Sequence, residues 1–515
     1  MVEMSMCFNH LLSSNQPADD LEIPAIQLAL LDARKRLLSI EEKLIELELA
    51  EIEDELQQND PEAQLLLLRD KQRTYIMKLQ GTLSPLRRFP TEILSLIFTF
   101  ALPSWVRKGV SIDPSSDIWR ISQVCRVWRA ILCEGMQHLW SSVELDCMGV
   151  NGNGQSLIAT LLELALQRSG TRPLSIKFYF SHKNKLGVLP ESEKRCLAVL
   201  ANESFRWKEV ELRYIPIPAL NSLSATVKSH MPLLSRLVIE NIPVSLAADT
   251  PSTAEAFQVA PKLQHFSLSG YFRPARFYLP WSQLESYAGS FRDFRDFLFI
   301  LECAGNLKSC DVFLRKYHPG LTVDHPNLRT LRIRGDVVGL SRLRLPSLRT
   351  LVLDELLIQD LGNVSTFLRR TPSVTSVEVY IPYDTGAENS IALLSEFMIA
   401  CTHITSLVLR GELDIRSVCS LLNTSESLSQ GQVLMPHLQH LSLSVLSTTN
   451  AELANILGLM LESRRRTSLY GLENQFHRLS SLTLHALREP RAVLERITPL
   501  EETLGLKVIV QTDPS

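Results

Sequence analysis

One phrase, Pro-x-Leu-x-x-Leu-x-Leu, recurs along most of this chain and limits what it can fold into. It runs from Pro232 to Ile239, Pro261 to Leu268, Pro326 to Ile333, Pro346 to Leu353 and Pro436 to Leu443, and degenerate copies begin at Trp140, Trp207, Leu284, Leu307, Val374, Ile404 and Leu479. From Trp207 onward the first apolar positions fall 20 to 41 residues apart. Each copy carries the period-two alternation of a short half-buried strand, so Leu331 and Ile333 are expected to point inward and Thr330, Arg332 and Arg334 outward. A single unit cannot bury its own apolar face. Stacked units bury a continuous core and expose a row of strand positions as an extended surface.

Most of these steps match, or lie near, the length of a leucine-rich repeat, and the longer ones leave room for a helix or an inserted loop. The expected fold class is therefore an α/β solenoid of irregular leucine-rich repeats over residues 146–515. The asparagine that often follows the strand in such repeats is absent; Gly335-Asp336 and Asp354-Glu355 stand there instead. An irregular solenoid without an asparagine ladder is therefore expected. Leu504 to Val510 reads as the closing strand.

Upstream the pattern changes to an all-α leader. Residues 1–20 are polar and aperiodic and read as a flexible tail. Over 21–81, Leu30, Ala33, Leu37, Ile40, Leu44 and Leu47 alternate steps of three and four, a heptad pattern that Ile45, Leu49, Ile52 and Leu56 extend. It stops at Asn59-Asp60-Pro61-Glu62, where Asp60 can cap and Pro61 can open a second helix carrying Leu65, Leu68, Tyr75 and Leu79. The segment is either a helical hairpin or a coiled coil through which the chain self-associates.

Residues 82–145 carry a third signal. Leu83-Ser84-Pro85-Leu86-Arg87-Arg88-Phe89-Pro90-Thr91-Glu92 leads into a helix, because Pro90 suits its first position and Glu92 the positive end of its dipole. Ile93, Leu94, Ile97 and Phe98 form a broad apolar stripe on it, and Val124, Val127, Trp128 and Ile131 form another on a second helix. With Val124-Cys125-Arg126-Val127-Trp128-Arg129 and Leu139-Trp140-Ser141-Ser142-Val143, this stretch resembles an F-box, the three-helix module that docks a receptor onto the adaptor of an SCF-type cullin ubiquitin ligase. The wording is similar to that of the large F-box families of mushroom-forming fungi. The resemblance implies that Phe89, Pro90, Ile93, Leu94 and Ile97 supply one adaptor-facing surface and Val124, Cys125 and Trp128 a second, Trp128 having an alternative reading as core. It departs from the family's pattern at Phe89, where Leu is common, and in the long link from Trp105 to Asp117. By the same resemblance the chain is a substrate-recognition subunit, with the adaptor, the cullin reached through it and an unknown protein substrate as partners; a non-catalytic scaffold without a degradation role is the alternative.

Composition narrows the rest. Across 515 residues, 45% are hydrophobic and 21% charged, the usage of a globular protein. A net charge of -3 argues against general nucleic-acid or membrane-surface binding. Nine cysteines without a C-x-x-C pair read as reduced thiols of the cytoplasm or nucleus. No metal-ligand spacing, nucleophile elbow or phosphate loop is present, so neither cofactor nor enzymatic activity is expected. Six arginines between Arg329 and Arg349 meet one acid, Asp336. Of these, Arg332 and Arg334 are the candidate substrate-binding residues, placed to grip a phosphate or carboxylate, with a solvated rim as the alternative.

Overall fold

The computed structural model describes residues 9–14, 16–51, 61–102, 110–113, 115–147, 154–181, 189–227, 231–240, 253–270, 273–291, 294–314, 322–382, 390–411, 413–424, 434–444, 451–466, 477–485, 495, 498–499 and 505–511. The chain is mixed α/β and divides into two compact units, Met1–Glu144 with Thr160–Arg172, and Leu145–Ala159 with Pro173–Ser515.

In the first unit, helices Glu22–Glu51 and Pro61–Thr82 pack against each other. Ala33 is buried between them with Ile26, Ile76 and Leu79, and Leu30 and Leu37 pack at the margin. Two cross-links secure the pair: Gln72 Nε2 donates to the Ala33 carbonyl at 3.0 Å, and Arg73 meets Glu41 at 2.8 Å. The heptad stripe is thus spent inside a hairpin. Of residues 1–20, expected as a flexible tail, 1–8 and 15 lie outside the described residues, and 9–14 and 16–20 are a correction. Asn9–Ser13 is helical, and Leu11 and Ala18 join the hairpin core. Arg87 donates to the carbonyls of Leu11 and Gln16, and Arg88 to that of Ala18, so the arginines downstream hold this segment down.

Beyond the hairpin lie helices Thr91–Ala101, Asp117–Val124, Arg126–Ala130 and Gln137–Trp140, with a wider helical turn over Ile131–Gly135 between the last two. Pro90 stands one residue ahead of its helix, at the N-cap, and its carbonyl accepts from Leu94 N at 3.1 Å. The stripe expected on one second helix is split. Cys125 is fully extended, ends Asp117–Val124 and caps Arg126–Ala130 by accepting from Trp128 N. Val124 and Val127 therefore ride on different helices, and among the described residues the module carries four α-helices besides the short turns Pro85–Arg88 and Ile131–Gly135, where three helices were expected. Arg168 lies over the rings of Trp119 and Trp140 at 4.8 and 4.5 Å, which ties residues 160–172 to this unit and moves them out of the region expected to be repeats.

The second unit is built on a long open parallel sheet in strict chain order. Its strands are Leu174–Tyr179, Trp207–Arg213, Arg236–Glu240, His265–Ser269, Ser286–Phe291, Ser309–Leu314, Thr330–Gly335, Thr350–Asp354, Ser376–Ile381, Ser406–Gly411, His440–Ser444, Ser481–His485 and Lys507–Gln511. Alternate residues are buried along most of them, as at Leu331 and Ile333, while Thr330, Arg332 and Arg334 face out. Parallel neighbours need a crossover, and helices such as Phe294–Cys303, Leu361–Arg370, Ser390–Ala400 and Ala451–Arg466 supply several. Strands also end in a common way. Gly335 and Gly411 take positive φ, and a Cβ on Gly411 would lie 1.8 Å from the Ile381 carbonyl oxygen, so only glycine fits where adjacent strands close together. Among the described residues no helix is long and apolar enough to cross a membrane.

Candidate docking surface

The helix Thr91–Ala101 has two apolar sides. Leu94 and Phe98, four residues apart, turn inward, and Phe98 meets Trp128 edge-on with ring centroids 4.8 Å apart. Ile93, Leu96 and Phe100 stay exposed, Phe100 at 77%. Phe89 just before the helix is also exposed, as are Val124 and Val127 on the two helices that follow. These exposed apolar side chains gather on one helical module.

The eight residues expected to face a partner separate under this geometry. Phe89, Pro90, Ile93 and Val124 are exposed; Ile97, Cys125 and Trp128 are partly buried. Leu94 is a correction: at 3% exposure it supports the helix from within. Trp128 divides its role, since its ring packs on Phe98 while the residue stays partly exposed. A groove of about 820 Å³ brings Phe89, Leu94, Val124, Cys125 and Trp128 together; Pro90, Ile93 and Ile97 do not line it.

Sequence reasoning missed the other contributors. Leu86 and Val127 line the groove and are exposed, and Leu12, Gln16 and Pro17 of the N-terminal segment form part of its wall. Leu86 had a signal in its position between Pro85 and the arginines. The N-terminal wall had none, because it depends on carbonyl contacts made by Arg87 and Arg88 across the fold. Burial lowers the Arg87 guanidinium below its ordinary pKa, while its Nη1 donates to both carbonyls.

The arginine cluster on the sheet is a second correction. Asp336 is the only acid nearby in sequence, but the flanking strands bring two more. Arg334 meets Asp311 at 2.9 Å and Arg332 meets Asp354 at 3.1 Å. Both pairs are diagonal across the sheet, since the register sets Arg332 beside Asp311 and Arg334 beside Asp354, and each arginine reaches the acid two positions along from the residue directly opposite it on that acid's strand. Arg213 with Glu211 and Glu240, and Arg410 with Glu378, continue the pattern. Arg332 and Arg334 are thus committed to intramolecular ion pairs and do not stand as free cations for a phosphate.

Burial raises the thiols of Cys147 and Cys419 to about 12, and pushes up those of Cys310 and Cys401 further, so all four stay protonated near neutrality. Among the described residues no group of three or more His, Cys, Asp or Glu is placed to hold a metal ion. No protein-family model matches the chain, and no curated protein does either.

Proposed function

We propose that this chain is an F-box receptor: the substrate-recognition subunit of an SCF-type cullin ubiquitin ligase, which docks its adaptor through residues 82–145 and a target protein through an irregular leucine-rich-repeat solenoid. One observation carries the reading. The Pro90-led helix displays Phe89, Ile93, Leu96 and Phe100, and Val124 and Val127 add to the exposed apolar set. Such residues suit the centre of a protein interface with few charges. The repeated strands, most with the same in-and-out alternation, suit a scaffold that holds a partner over a wide face. On this reading the receptor acts by positioning its target, and the transfer chemistry belongs to other subunits.

Ile93→Asp tests it. The exposed site tolerates the change in the folded chain, whereas a buried carboxylate at the interface costs about 2 kcal/mol or more, roughly thirtyfold in affinity. Purified protein should capture a fungal SCF adaptor and bring the cullin with it, and Ile93→Asp should lose both while its circular dichroism is unchanged. Failure of the folded wild-type chain to bind the adaptor overturns the reading. Adaptor binding without turnover of any captured protein favours the scaffold alternative.

A further inference from the structure

The hairpin consumes one face of helix Glu22–Glu51 and leaves a second. Ile26, Ala33 and Leu44 are buried on the inner side. At 3.6 residues per turn the opposite side carries Leu28, Leu31, Leu38 and Ile45, which are 62%, 53%, 59% and 56% exposed. Leu31, Leu38 and Ile45 repeat every seven residues, with Leu28 three before Leu31. This is the spacing of a coiled-coil seam, and within the chain it has no counterpart to cover it among the described residues.

The charges in this seam select the occupant. Lys35 and Glu42 lie within the same stripe, Arg34 and Glu41 beside it; Arg34, Lys35 and Glu42 are exposed, and Glu41 is partly so while pairing with Arg73 of the second helix. Asp32 is held by Arg36 on its own helix. A parallel partner copy would set Lys35 against Lys35 and Glu42 against Glu42. An antiparallel copy with its two-fold axis between Leu38 and Ser39 sets Lys35 against Glu42, and two-fold symmetry makes that match twice. We infer that the exposed Leu28–Leu31–Leu38–Ile45 face of the leader pairs with a second copy of this chain in an antiparallel coiled coil. The inference is independent of adaptor binding, because the seam lies on the leader helix and not on residues 82–145.

Sedimentation equilibrium of the full chain across the micromolar range tests it, with circular dichroism as the check on folding. The wild type should be a dimer, and Leu31→Glu with Leu38→Glu should raise its dissociation constant about a hundredfold or more, since each copy loses two apolar anchors and gains two carboxylates in the seam. Lys35→Glu alone and Glu42→Lys alone should each weaken pairing, and an equimolar mixture of these two variants should recover a heterodimer, because each then offers the charge the other lacks. A wild type that stays monomeric overturns the inference, as does a dimer indifferent to the two leucine substitutions. A mixture that fails to recover pairing overturns the antiparallel arrangement.

Discussion

Single side chains in the sheet's core show how burial and hydrogen bonding divide the work. Tyr287 is 1% exposed among Phe266, Phe291 and Cys310, and its hydroxyl finds no hydrogen-bond partner among the described residues. Burial, with Cys310 and Asp296 adding to it, pushes its pKa well above the ordinary value, so the group remains a neutral, unsatisfied phenol. Deleting a buried polar group that makes no bond removes a desolvation penalty of about 1 kcal/mol. Tyr287→Phe should therefore leave stability unchanged or raise it by up to about 1 kcal/mol in urea unfolding; a clear loss would reveal a partner for the hydroxyl. Arg464 is the opposite case. It is equally buried, yet its guanidinium donates to the carbonyls of Leu422, Leu434 and Met435 at 2.8, 2.6 and 2.8 Å, so a residue that reads in sequence as part of a basic triplet is a structural tie. His437 adds a pH effect. Burial, His477 at a ring distance of 4.9 Å and His403 all lower its pKa below 6.5. The folded state then binds fewer protons than the unfolded one, so stability is full above about pH 6.5 and falls as pH drops through the folded value. His437→Gln should flatten the stability profile between about pH 7 and 5 in parallel melts; an unchanged slope would assign the acid sensitivity to other groups.

Elements were legible where an alternating apolar pattern coincided with a turn phrase. From Leu234 through Leu479, each predicted apolar position is followed two residues later by the first residue of an observed strand. The strand Leu174–Tyr179 was not foreseen, because Pro173-Leu174-Ser175-Ile176 alternates without the spaced leucine that precedes the others. The seven-residue closing strand read from Leu504 is observed as Lys507–Gln511. Contrary to the expected absence of an asparagine ladder, a short amide ladder stands before the strand: Gln283, Asn306 and Asn327 each sit one residue before the first leucine of their unit and donate to carbonyls of the unit behind, at Ala260 and Leu263, Ser282 and Gly305. In the same turns, backbone amides of Glu285, Lys308, Arg329 and Arg349 each donate 2.8 Å to the equivalent residue of the preceding unit. Those side-chain bonds are individually modest. Asn306→Ala and Asn327→Ala should each cost about 1 kcal/mol, and the adjacent pair should depart from simple addition, which a double-mutant cycle in urea would detect. On the docking surface, the stripe of Thr91–Ala101 was readable but its two sides were not. Leu94 and Ile93 have the same chemistry, and only the packing of Phe98 on Trp128 decides which of them turns inward.

At the scale of the molecule, the boundary between the two units does not follow the boundary between sequence patterns. The repeat phrase begins at Trp140, yet residues 160–172 belong with the helical unit, and the reason is local. Arg168 stacks on Trp119 and Trp140, which themselves meet edge-on at 5.0 Å, while Trp140 Nε1 donates to the Leu132 carbonyl at 2.9 Å. Burial lowers the Arg168 pKa; a guanidinium stays charged in proteins, so it stands as a cation over two indole faces. Nothing in the sequence around Arg168 marks it as a partner of tryptophans nearly thirty and fifty positions away. A fragment ending at residue 147, where the sequence pattern changes, exposes those rings and loses contacts worth about 1 to 2 kcal/mol. A fragment ending at residue 172 keeps them. The longer fragment should melt several degrees higher, and Arg168→Ala within it should remove most of the difference, because the stack and not the added length supplies the stability. Equal melting of the two fragments would place residues 160–172 with the sheet unit instead.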